Sequence, residues 1–111
     1  MPTLKQLSHE VQRAFAFLAV FGFHLATETF SGGDSYRDGF WLTYVRGDTE
    51  CRIDYTDMEF NATVAGVVIF GPGRHLQFSG NMFSREHLLA CLPRLSEVVN
   101  NELSIQFDSA A

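Results

Sequence analysis

From Phe40 to Val64 the apolar side chains fall on every second position, and they do so across two tight turns. This regularity restricts the fold more than any other feature of the chain. A two-residue turn at Gly47-Asp48 sets Tyr44 opposite Cys51, Leu42 opposite Ile53 and Phe40 opposite Tyr55. A second turn at Asp57-Met58 sets Tyr55 opposite Phe60, Ile53 opposite Ala62 and Cys51 opposite Val64. A slip of one residue would move every side chain to the other face, so consistent apolar partners across two hairpins specify one register. A third turn at Gly71-Pro72-Gly73 extends the pattern by pairing Val68 with Leu76 and Gly66 with Phe78. Upstream, the segment Phe23–Phe30 alternates and is β-prone. The expectation is a five-stranded antiparallel meander with one buried face.

Helices flank the strands. Thr3 and Gln6 have the spacing of a capping box, and Leu4, Leu7, Val11, Phe15 and Leu18 recur at helical intervals. The run RAFAFLAVF is apolar nearly all round, which predicts burial on more than one side, and Gly22 ends it. Ser84 is a suitable N-cap for a last helix with Glu86 in its first turn and an apolar stripe of Leu88, Cys91, Leu92, Leu95 and Val99. Pro93 predicts a kink or a restart. At 111 residues, with 46% hydrophobic and 19% charged residues, the chain is one domain able to bury a core that its eleven Phe residues help fill. The predicted architecture is α+β: helix, five-stranded antiparallel meander, helix, with both helices on one face of the sheet.

The same alternation orients the charges. The stretch RGDTECRIDYTDME (46–59) holds five acids and two bases, so it carries most of the chain's net charge of −5. With Cys51, Ile53 and Tyr55 inward, Glu50, Arg52 and Asp54 point outward. Their neighbours on that face are Trp41, Thr43 and Val45 on one side and Asn61, Thr63 and Ala65 on the other. His24, Ala26 and Glu28 are expected to continue the face on the first strand, with Asp57 and Glu59 at the adjoining turn. Such a surface is either a solvated sheet face or a protein-binding face, with Trp41 as anchor and an acidic rim. The candidate partner-binding residues are Glu28, Trp41, Glu50, Asp54, Asp57, Glu59 and Asn61. The acidity argues against nucleic acid as a direct partner and is compatible with a basic protein.

No motif indicates catalysis. HEVQR (9–13) departs from a zinc-protease helix because Arg13 stands where the second His ligand is needed. SGGDS and GPGRH read as turns rather than phosphate loops. His24, His75 and His87 are scattered, and the outward acids alternate with Arg52 without metal-ligand spacing. No metal, cofactor or enzymatic activity is expected. The loop 31–39, with Asp34, Tyr36, Arg37 and Asp38, is longer than a hairpin requires and is either a binding loop or a polar connection. Cys51 and Cys91 sit among apolar neighbours and are expected to be buried free thiols in a reducing compartment. The apolar run Ala14–Phe23 is too short to span a bilayer, and Glu10 with its polar lead-in makes a poor signal peptide. The expected location is therefore the cytoplasm, without membrane association.

An amphipathic first helix running into FGFHL, hairpins of the type CRIDY and a closing helix REHLLACLPRLSEVV together resemble the small bacterial immunity proteins of contact-dependent growth inhibition and related polymorphic toxin systems. The resemblance lies in size, acidity and order of elements across most of the chain. It implies a cytoplasmic protein that binds a cognate toxin domain, often a basic nuclease, and blocks its active site. It assigns no residue, since these proteins share no binding motif, and a monomer is expected rather than a dimer. A secretion chaperone binding an effector segment is the alternative, but such chaperones usually interpose a helix among their strands. A small ligand-binding domain with a pocket between helices and sheet is a third possibility.

Overall fold

The computed structural model describes residues 2–32, 38–71 and 82–106. Helix α1 spans Leu4–Ala14 and opens with a complete capping box. Gln6 N donates to Thr3 Oγ1 at 3.1 Å, and Thr3 N donates to Gln6 Oε1 at 2.8 Å. Two otherwise orphaned N–H groups are thereby satisfied. The apolar run that follows does not prolong the α-helix. It winds into a 3-10 helix, Ala16–Phe21. Three residues per turn align Leu18 with Phe21, and both are buried. Ala16, Ala19 and Val20 stay exposed, so the run is not buried on all sides as its composition suggests. Gly22, at φ 88°, closes it in the left-handed conformation, with Phe23 N bonded to Leu18 O at 3.0 Å.

Five strands follow: β1 (His24–Ser31), β2 (Gly39–Arg46), β3 (Thr49–Thr56), β4 (Glu59–Val64) and β5 (Val67–Phe70). They form one antiparallel sheet in the order β1-β2-β3-β4-β5, a meander. The register of β2, β3 and β4 is the one that the alternation requires. Phe40, Leu42 and Tyr44 face Tyr55, Ile53 and Cys51, which in turn face Phe60, Ala62 and Val64. All nine are buried and share one core with Leu7, Val11, Phe15, Leu88, Leu92, Leu95 and Val99 from the helices. Both helices thus cover the same face of the sheet.

The fifth strand differs from the expectation. The run TVAGVVIF is not one long strand. It turns back at Ala65-Gly66, where both residues have positive φ, 50° and 82°, the pattern of a type I′ hairpin. Val68 therefore pairs with Thr63, and Gly66 lies in the turn. Leu76, Phe78 and the supposed turn at Pro72-Gly73 lie outside the described residues. Ile69 is an extra residue in β5 opposite the Ala62–Thr63 step, a bulge that lets consecutive Ile69 and Phe70 both enter the core.

Helix α2 (Arg85–Gln106) starts where Ser84 Oγ accepts from His87 N at 3.1 Å. It runs through Pro93 as one helix with no restart. Its buried stripe is Leu88, Leu92, Leu95, Val99 and Leu103, while Cys91 is only half-buried. Two polar ties lock its start. Tyr55 Oη donates to Phe83 O at 2.8 Å, and the buried Arg85 donates from Nη1 to Pro2 O at 2.9 Å. No helix among the described residues is long and apolar enough to cross a membrane.

Candidate functional site

Among the described residues, no element covers the face of the sheet opposite the helices. Its residues stand in rows fixed by the register. Thr29, Trp41, Asp54 and Asn61 cross four strands in one row, and Thr27, Thr43, Arg52, Thr63 and Val68 cross five in the next. His24, Val45 and Glu50 form a third row, and Thr56 with Glu59 a fourth. The face therefore brings together Trp41, Glu50, Asp54, Glu59 and Asn61. Asp57 stands at its rim in the β3–β4 turn, exposed and at φ 52°. Three carboxylates on the face meet one guanidinium, Arg52. A shallow depression of about 590 Å³ lies at one end, between Asp48, Glu50, Arg52, Thr63 and Gly66.

Glu28 does not belong to this surface. The register shifts between Leu25 and Thr27, so Ala26 is an unpaired bulge residue and every later position of β1 changes face. Glu28 pairs with inward-pointing Leu42 and lies on the helix side. There its Oε2 accepts from Ser8 Oγ at 2.6 Å and from Gln12 Nε2 at 3.0 Å. The sequence holds a signal for this bulge. Leu25 and Phe30 are five apart, an odd separation that no regular strand can place on one face. With the bulge they pair with inward-pointing Tyr44 and Phe40.

Trp41 is half-buried although it points away from the core, as is its register partner Asp54. Asp54 Oδ1 accepts from Asn61 Nδ2 at 3.0 Å. Burial pushes the Asp54 carboxyl above its ordinary range. The Asn61 hydrogen bond and the charge of Arg52 pull it back, and Glu59 adds to the rise. Such a carboxylate is incompletely compensated, and a cation supplied from outside would stabilise it.

Other reactive groups among the described residues include Cys51, Tyr44, His24 and His87. Burial, reinforced by Glu50, pushes the Cys51 thiol up to about 12, so it stays protonated and inert near neutrality. Burial, with Cys51 and Glu28 adding, pushes Tyr44 up to about 12, and its hydroxyl has no hydrogen-bond partner among the described residues. His24 is exposed on the sheet face. His87 is exposed at the start of α2 with its ring 5.3 Å from that of Phe83. His75 and residues 33–37 of the long loop lie outside the described residues, while Asp38 is half-buried. No group of three or more His, Cys, Asp or Glu among the described residues could hold a metal ion. A cleft of about 730 Å³ forms an open groove along α1, lined by Lys5, His9, Gln12, Glu28 and Leu89. Its one inward-reaching carboxylate, Glu28, is already held by two donors.

No protein-family model matches the chain, and neither a curated protein nor a solved structure is significantly similar to it.

Proposed function

We propose that this chain is a small, non-enzymatic immunity protein that binds a basic toxin domain through the bare face of its sheet and neutralises it. The observation that carries the reading is Trp41. It is the chain's only tryptophan, it lies on the side of the sheet opposite the core, and Asp54 stands beside it with Glu50 and Glu59 on the same face. A tryptophan outside the core contributes little to folding, but it can anchor an interface whose charged rim accelerates encounter. The toxin as partner, and the cytoplasm as the place of action, rest on the resemblance to contact-dependent growth inhibition immunity proteins. Glu28 is not part of the proposed interface. The secretion-chaperone alternative is disfavoured by five strands in unbroken succession.

The test is a binding titration against the toxin domain encoded by the adjacent gene. Trp41→Ala is expected to weaken binding by about 2 kcal/mol or more while the fold remains intact. Replacing Glu50 and Asp54 together by Lys is expected to slow association and flatten its dependence on salt. If both variants bind like the wild type, or if the partner docks on the helices, the assignment is wrong.

A further inference from the structure

The bare sheet face has one spot whose chemistry discriminates between kinds of cation. Trp41 and Asp54 are register partners, and an antiparallel pairing sets their Cα atoms about 5 Å apart with both side chains on the same face. Asn61 occupies one oxygen of the carboxylate, Oδ1. Asp54 Oδ2 has no partner among the described residues, and Arg52, two positions along the strand, does not close onto it. Resting on the reading above, we infer that Trp41 and Asp54 form a seat for a single arginine side chain of the protein partner. The guanidinium plane lies over the indole, and one N–H is donated to Asp54 Oδ2.

Three features favour guanidinium over ammonium. The site is half-buried, and a guanidinium sheds its water more easily than an ammonium. The surface beside Asp54 is an aromatic ring, against which a planar cation stacks with full area, adding cation–π attraction. The carboxylate is already desolvated and has Glu59 as a like-charged neighbour, so an incoming fixed charge is favoured, and guanidinium retains its charge at any accessible pH.

Because Trp41 is the only tryptophan, its fluorescence reports on this spot alone. The experiment titrates the full chain with capped octa-arginine and, separately, capped octa-lysine near physiological salt, reading Trp41 emission. The expected result is a saturable emission change with arginine binding about fivefold tighter or more than lysine. Asp54→Asn, checked for folding by circular dichroism, is expected to weaken octa-arginine binding by about tenfold. Glu28→Gln, on the helix side, should leave the affinity within about twofold. Equal affinity for the two peptides, an unchanged Trp41 emission, or Asp54→Asn binding like the wild type each overturns the inference. Failure here is separable from failure of the proposed function. If Trp41→Ala abolishes toxin binding while octa-arginine leaves Trp41 unperturbed, the interface stands and the arginine seat does not. If octa-arginine binds as expected but Trp41→Ala leaves toxin binding intact, the seat stands and the toxin interface lies elsewhere.

Discussion

Ser8 Oγ, fully buried on α1, donates a 2.6 Å hydrogen bond to Glu28 Oε2 on the edge strand β1. Gln12 Nε2, one turn further along α1, donates to the same oxygen at 3.0 Å. The contact ties the N-terminal helix to a strand that pairs with β2 alone, and it satisfies a hydroxyl that water cannot reach. It also withdraws one carboxylate from the opposite face, where an unbulged strand would have put it.

Removing that carboxylate should therefore affect folding rather than recognition. Glu28→Ala leaves the buried Ser8 hydroxyl without its acceptor and is expected to cost about 1–2 kcal/mol. Urea denaturation measures the cost. Toxin binding by the same variant, scored by titration, should match the wild type.

The centre of the core lies at Ile53, which is fully buried and packed between β2 and β4 beneath the helices. Ile53→Ala is expected to destabilise the fold by about 2–5 kcal/mol. A denaturation midpoint close to that of the wild type would contradict the register.

The β4–β5 turn holds a correctable strain. Ala65 sits at φ 50°, where a Cβ crowds the backbone, and its N–H bonds to Glu50 O at 2.9 Å. Ala65→Gly keeps the hydrogen bond and relieves the crowding, against a larger entropy loss on folding. The net expectation is a gain of up to about 1 kcal/mol, visible as a higher melting temperature.

Asp54 makes stability depend on pH. Its carboxyl is raised in the folded state, chiefly by burial, so the folded chain holds that proton more tightly than the unfolded chain. The resulting contribution is fully present below the ordinary carboxylate range and is lost as pH rises through the raised value. At neutral pH the ionised Asp54 opposes folding. Asp54→Asn retains an oxygen acceptor for Asn61 and should be more stable than the wild type at pH 7, with the advantage vanishing in acid. Denaturation curves at pH 7 and pH 3 test this, and an advantage that grows in acid would contradict it.

Much of the fold was legible because its signals are local. The register of β2, β3 and β4 follows from period-two alternation joined by two-residue turns, since each turn transmits the parity of one strand to the next. Thr3 with Gln6, and Ser84, announced the helix starts through side chains that bond N–H groups within three residues. Trp41, Glu50, Asp54, Glu59 and Asn61 came to one face by the same parity. What escaped were places where local rules compete. Ala65-Gly66 lacks the usual Asn or Asp of a type I′ turn, so an apolar run read as one strand where the chain folds back. RAFAFLAVF satisfies an α-helix by composition, yet α1 ends at Ala14 and the chain tightens into a 3-10 helix that buries Leu18 and Phe21 together.

The sequence by itself determined which face of the central strands is buried and where the acids of that stretch point, because alternation and turn length leave only one consistent arrangement. The odd spacing of Leu25 and Phe30 carries a trace of the bulge, but the tertiary structure alone decided what Glu28 bonds to and the environment of Asp54. A single bulge at Ala26 reverses parity at no cost in composition, and the demand of buried Ser8 for an acceptor, met from a strand twenty residues further along the chain, is a long-range condition that no local pattern encodes.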